Sequence, residues 1–135
     1  MKPNICIVKA NYYPDITNML LKGAYKALEK YGYDEQITVP GIFEIPVTIS
    51  KKIHKFDAFI ALGCVIKGKT PHFNLISNTV VKAIMDLSIK HTKPIGNGII
   101  TCLNKKQALE RSDQTKKNKG GEAANAVIKL LKNLN

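Results

Sequence analysis

The sequence predicts an α/β fold: a three-layer αβα sandwich on a four-stranded parallel sheet. Three observations carry this. Short apolar runs alternate with longer amphipathic stretches along the chain. The stretches repeat their apolar residues at i, i+3 and i+4, the stripe of a helix that buries one face. One run, FDAFIALG at 56–63, is apolar almost throughout, as befits a strand covered on both faces.

In order, NICIVKA at 4–10 reads as the first strand. Ile16, Met19, Leu20, Ala24, Ala27, Leu28 and Tyr31 then mark a helix over 15–32, with Asp15 as N-cap and Gly32 as C′ residue. EQITV at 35–39 is a strand that Pro40 and Gly41 stop. Residues 44–55 form a weaker helix pattern: Pro46 must lie in its first turn, and the β-branched residues pull toward strand. After the strand at 56–63, Phe73, Ile76, Val80, Ile84 and Leu87 mark a helix from about Pro71 to Lys90. Residues 94–103 are a strand interrupted by two glycines. Helices at 105–112 and 121–134 follow, the last with Ala124, Val127, Ile128 and Leu131 inward. The order βαβαβαβαα places helices on both faces of the sheet.

The 135 residues fit one domain with a hydrophobic core. No run approaches the ~18 apolar residues that span a bilayer, and MKPNICIVKA lacks the layout of a secretory leader. Cys6, Cys64 and Cys102 lie far apart in apolar surroundings. That spacing fits neither a zinc pattern nor a disulfide framework, so they read as reduced, buried thiols of a cytoplasmic protein. The net charge of +11 attracts anions: nucleic acid or small phosphorylated substrates. The lysines are scattered, dense only in KGK (67–69) and KKNK (116–119), and no interleaved-aromatic RNA signature appears.

In such a fold, ligands sit beyond the carboxyl ends of the strands. Those ends are 11–15, 40–44, 63–73 and 101–104, and they gather Tyr12, Tyr13, Glu44, Lys67, Lys69, Thr70 and His72. Within them, GCVIKGKT at 63–70 matches the phosphate loop G-x-x-x-x-G-K-[ST]. Three features weigh against a nucleotide there. Pro71 pushes Thr70 out of the helical region, so Thr70 fits an N-cap with Pro71 at the first helical position. Cys64, Val65 and Ile66 occupy a cradle that wants small residues. No other strand ends in an aspartate suited to magnesium. What remains is an anion site in outline, with amides around Gly68 to Thr70 at a helix N-terminus. His72, in the first turn of that helix, is either a proton-exchanging imidazole or a plain surface histidine. His54 and His91 lie away from the strand ends and read as surface residues.

VPGIFEIP (39–46), ALGCVIKGKTPHF (61–73), NGIIT (97–101) and ALERSDQTKKNKGGEAA (108–124) together resemble lumazine synthase, the 6,7-dimethyl-8-ribityllumazine synthase of riboflavin biosynthesis. The resemblance runs from Ile5 to the C-terminus with four motifs in order. It implies a flavodoxin-like fold and a transferase that condenses 5-amino-6-(D-ribitylamino)uracil with 3,4-dihydroxy-2-butanone 4-phosphate, without metal or cofactor. Residue by residue, it implies that His72 transfers protons and Tyr12 stacks on the pyrimidine. Ile42, Phe43 and Glu44 hold the ribityl chain, and Cys64, Val65 and Ile66 offer backbone contacts. Asn97 stands where many members place an aromatic against the pyrimidine. Lys69 and Thr70 receive the butanone phosphate, Arg111 clamps it from the neighbouring subunit, and Lys119 lies near it. The implied halves of the site are Tyr12, 42–44 and Asn97 on one side, and the 63–72 block with Arg111 on the other.

The implied partners are the two small substrates, further copies of the chain in a pentamer or multiple of pentamers, and riboflavin synthase. Nucleic acid and membrane are not among them. Little sequence precedes the first strand, which favours a free pentamer or a pair of pentamers over a sixty-subunit shell. Val81, Met85 and Ile89 give the 71–90 helix a second apolar face for a subunit contact. Rival readings are a P-loop-type nucleotide-binding kinase, a nucleic-acid-binding module, and a non-catalytic lumazine or flavin binder on the same fold. His72 and Arg111 argue against the last.

Overall fold

A computed structural model of the chain, described over residues 2–68 and 72–134, has one four-stranded sheet with helices on both sides. In chain order come β1 (Ile5–Ala10), α1 (Pro14–Ala27), β2 (Glu35–Val39), a 3-10 turn (Ile42–Glu44), α2 (Ile45–Lys52), β3 (Ala58–Ile66), α3 (Phe73–His91), β4 (Ile95–Cys102), α4 (Lys105–Ser112) and α5 (Lys119–Leu134). The sheet order is β2-β1-β3-β4 and all pairs are parallel. The order reverses between β1 and β3, and a doubly wound sheet opens a crevice beyond the carboxyl ends there.

Strand alternation divides the core in two. Ile5, Ile7, Ile60, Leu62, Cys64, Ile66, Ile100 and Cys102 face α1, α4 and α5, meeting Ile16, Leu20, Ala24, Ala108, Ala124 and Val127. Cys6, Val8, Ala10, Phe59, Ala61, Val65 and Ile99 face α2 and α3, meeting Ile45, Ile49, Val80 and Ile84. All nine residues of β3 are buried, as its unbroken apolar run requires.

Several boundaries differ from the sequence reading. α1 starts at Pro14 as its first residue, with Tyr13 rather than Asp15 in the N-cap position. It also ends at Ala27: the Leu28 N–H is shared between the carbonyls of Ala24 and Tyr25, and turns continue to Gly32, which takes positive φ as expected of a C′ residue. The expected 44–55 helix is present as the shorter α2, Ile45–Lys52, with Pro46 in its first turn as expected and a 3-10 turn, Ile42–Glu44, leading into it.

β3 does not stop at Gly63 but runs to Ile66, because β4 pairs alongside it through Cys64↔Ile100 and Ile66↔Cys102. The first four residues of the phosphate-loop pattern are therefore strand paired with β4, which does not favour a nucleotide cradle there. α3 begins at Phe73, so His72 precedes the helix as its N-cap residue instead of lying in its first turn. The expected capping by Thr70 and Pro71 falls outside the described residues. α5 starts two residues early, at Lys119, and takes both Gly120 and Gly121 into the helix. No helix among the described residues is long and apolar enough to cross a membrane.

Candidate active site

At the carboxyl ends of β1, β2 and β3, the chain builds a hollow of about 180 Å³ lined by Tyr12, Gly41, Ile42, Phe43, Cys64, Val65 and Ile76. Local chemistry explains how these residues meet. The Thr17 hydroxyl donates to the Ala10 carbonyl at 2.7 Å, pinning α1 to the end of β1 and leaving Tyr12 on the rim. The Asn11 N–H donates to the Val39 carbonyl at 2.8 Å, which holds the ends of β1 and β2 level. Beyond β2, Glu44 Oε1 accepts the Gly41 N–H at 2.9 Å and the Glu44 N–H donates to the Gly41 carbonyl at 3.2 Å. This reciprocal pair closes the 3-10 turn. Gly63 lets that turn seat against β3: a Cβ there would lie 2.7 Å from Ile42 Cγ2 and 3.2 Å from the Ala10 Cβ.

The hollow is apolar with two aromatic rings at its mouth, Tyr12 and Phe43, each 65% exposed. Its floor is β3. The β1–β3 pairing ends at Lys9↔Leu62, whereas the β3–β4 pairing continues to Ile66↔Cys102. Among the described residues no strand pairs with Cys64, Val65 and Ile66 on the β1 side. Buried strand backbone seeks a hydrogen-bonding partner, so this stretch suits a flat heterocycle that carries both donors and acceptors. Aromatic rims of this kind bind such rings by stacking.

A second cavity, of about 490 Å³, opens along the free edge of β4 and is lined by Asn97, Ile99, Ile100, Thr101, Arg111, Lys117, Lys119 and Glu122. Arg111 arrives there because α4 is capped at both ends. Asn104 Oδ1 accepts the Gln107 N–H at 2.8 Å and Gln107 Oε1 accepts the Leu103 N–H at 2.8 Å. After α4, Asp113 Oδ1 takes both the N–H and the hydroxyl of Thr115, and the Asn118 N–H donates to the Asp113 carbonyl. Asn118 sits at φ 48°, a conformation asparagine tolerates, and its Oδ1 accepts the Gly121 N–H, so it starts α5 with Lys119 as the first residue. The Arg111 guanidinium Nη1 donates to the Thr101 carbonyl at 2.6 Å and lies 4.0 Å from Cys102 Sγ. Three cations and one carboxylate line this cavity, and it suits a small anion.

Cys64 and Cys102 meet across β3 and β4. Their shared hydrogen bond and burial push the Cys64 thiol up, while the same bond, aided by Arg111, pulls Cys102 down to about 7. Both are unpaired, as is Cys6. Among the described residues no cluster of three or more His, Cys, Asp or Glu side chains converges on a point that would hold a metal ion.

The expected site residues thus fall into two groups, divided differently from the expectation. Tyr12, Ile42, Phe43, Cys64 and Val65 line the hollow, and Ile66 and Glu44 flank it. Asn97 does not belong with them. It lies on edge strand β4 beside Arg111 and Lys119, its Oδ1 accepting the Ile99 N–H at 3.1 Å. His72 is exposed at φ 61°, and its carbonyl accepts the Ile76 N–H at 2.9 Å. It therefore stands one helical turn from a wall of the hollow. Lys69 and Thr70 lie outside the described residues. Lys117 and Glu122, which line the cationic cavity, were not among the expected site residues. The signals that point to them are the dense KKNK run and the i, i+3 spacing of Lys119 and Glu122.

A family model for 6,7-dimethyl-8-ribityllumazine synthase matches residues 2–135. The 6,7-dimethyl-8-ribityllumazine synthase of Bartonella tribocorum is 47% identical over 136 residues, covering 96% of this chain and 89% of that protein. Those of Agrobacterium fabrum and Sphingopyxis alaskensis are each 44% identical, over 96% and 95% of this chain and 93% and 92% of theirs.

Proposed function

The chain belongs to the 6,7-dimethyl-8-ribityllumazine synthase family, and we propose that its two cavities are the two halves of a substrate site that neighbouring subunits complete for one another. The enzyme is a transferase that condenses 5-amino-6-(D-ribitylamino)uracil with 3,4-dihydroxy-2-butanone 4-phosphate to 6,7-dimethyl-8-ribityllumazine, phosphate and water, the penultimate step of riboflavin biosynthesis. One observation carries the two-half reading: aromatic rings and free strand backbone gather in one cavity, and the cations gather in another at an open strand edge.

In this reading Tyr12 stacks on the pyrimidine, whose polar edge meets the backbone of Cys64, Val65 and Ile66. Ile42, Phe43 and Glu44 receive the ribityl chain, where the Glu44 carboxylate keeps an oxygen for hydroxyl donors. Asn97 of the adjoining subunit covers the ring. Arg111 and Lys119, with Lys69 and Thr70, hold the phosphate. A guanidinium suits a group that must be bound tightly and then released as an anion. The pyrimidine amine adds to the butanone carbonyl and loses water to give a Schiff base. Phosphate departs next, and the second amine closes the ring with loss of water. Each step moves protons, and His72, beside the hollow, has a side chain that does so near neutral pH. Juxtaposing two substrates supplies much of the remaining rate.

The shared site requires an oligomer, for which a pentameric ring, alone or paired, is our assignment. Its support is the second apolar face of α3, where Met85 is 56% and Ile89 69% exposed beside half-buried Val81. The three unpaired thiols support a cytoplasmic setting. Mixing the purified chain with both substrates should develop the lumazine absorbance. A protein that binds the pyrimidine yet never develops it is a binder and not the enzyme.

A further inference from the structure

The charges of the β4-edge cavity do not act alike. Lys119 Nζ lies 3.2 Å from Glu122 Oε2 and 3.4 Å from Oε1, so this pair is close to neutral as a unit. Arg111 keeps its full charge but is tethered by Nη1 to the Thr101 carbonyl. Lys117 is the remaining cation of the lining, and among the described residues it makes no ion pair. Its backbone is nonetheless fixed: the Lys117 N–H donates to the Glu110 carbonyl at 3.2 Å, one residue before Arg111.

We infer that Lys117 is a phosphate-recognition residue, supplying with Arg111 the two uncompensated positive charges that match a phosphate dianion. The inference rests on reading this cavity as the phosphate half of the site. Without Lys117, the charged side chains that line this cavity sum to one net positive charge against the phosphate's two negative ones. A phosphate monoester, whose second ionisation has its midpoint near pH 6 and which is mostly dianion above pH 7, then binds less well. The division of labour is geometric. Arg111, held by strand and helix, fixes the direction of the phosphate. Lys117, a point charge on a flexible stem, adapts as the phosphate changes from ester to free anion.

The test compares Lys117→Ala, Lys117→Arg, Lys116→Ala and Arg111→Lys. The readouts are KM for the butanone phosphate, affinity for inorganic phosphate and affinity for the ribitylaminopyrimidine. Lys116 is exposed, adjoins Lys117 in sequence and does not line the cavity, so its variant controls for the general field. Lys117→Ala should raise that KM and the phosphate dissociation constant about tenfold, with pyrimidine affinity unchanged. Lys117→Arg should restore most of the loss, and Lys116→Ala should change little. An unchanged phosphate affinity in Lys117→Ala, or an equal loss in Lys116→Ala, overturns the role of Lys117. If Arg111→Lys weakens phosphate binding in the same experiment, the reading of the cavity survives that failure. If Arg111→Lys also has no effect, the cavity is not the phosphate half and both fall.

Discussion

His72 is where residue chemistry and backbone geometry conflict most. A non-glycine residue at φ 61° costs of order 1 kcal/mol, and asparagine tolerates that conformation better than alanine. His72→Asn therefore separates backbone from imidazole: it should fold as the wild type does while turnover falls roughly 10- to 1000-fold. Wild-type turnover in that variant would remove the proton-transfer role. Cys6 gives a different kind of test. Fully buried and near Glu35, its thiol is pushed up to about 12 from an ordinary value of 9.0, chiefly by burial. The folded state thus resists deprotonation. The stability this contributes is complete below pH 9 and is lost as pH rises through about 12. Unfolding by urea over that range should show a smaller loss of stability with pH in Cys6→Ala than in the wild type. Strand ends concentrate ligand contacts, which pointed directly to Tyr12 in the hollow and to Glu44 and His72 beside it, whereas Ile42, Phe43, Cys64 and Val65 were singled out by resemblance. Arg111 and Asn97 were reached only by resemblance. A residue on an edge strand or late helix acquires a site role through a neighbour, and no local pattern encodes that.

At the scale of elements, the sequence reading misjudged ends more than existence. β3 ran three residues past Gly63 because a partner strand continued beside it, and strand pairing is a tertiary fact that a glycine in the run disguises. α5 is the sharper case. Two consecutive glycines lower helix propensity by about 2 kcal/mol relative to alanine, which agrees with the expected start at Gly121 rather than before the pair. Packing overrides it: a Cβ on Gly120 would lie 1.9 Å from the Leu20 carbonyl oxygen of α1. Gly120→Ala should accordingly destabilise the protein by more than about 3 kcal/mol, in spite of better helix propensity. A fall of under 1 kcal/mol in the unfolding free energy measured by urea would show that α1 and α5 separate easily.

For the whole molecule, the two cavities make a prediction that neither makes alone. A Tyr12→Ala chain keeps an intact β4-edge cavity, and an Arg111→Ala chain keeps an intact hollow. Each should be nearly inactive by itself. Unfolded together and refolded into mixed assemblies, they should recover a fraction of wild-type activity, since some interfaces then pair two undamaged halves. Mixed assemblies verified by native mass spectrometry yet still inactive would show that each chain carries its whole site. The packing of α1 on α5 has a consequence of another sort. These helices lie near opposite ends of the chain, 14–27 and 119–134, and together cover one face of the sheet. A ribosome delivers the chain from the N-terminus, so α1 and the strand face beneath it are made early and wait for α5 to be made before they are fully covered. The opposite layer, of α2 and α3, closes within residues already emerged once β4 is out. One layer can settle while the chain is still being made, and the other waits for α5.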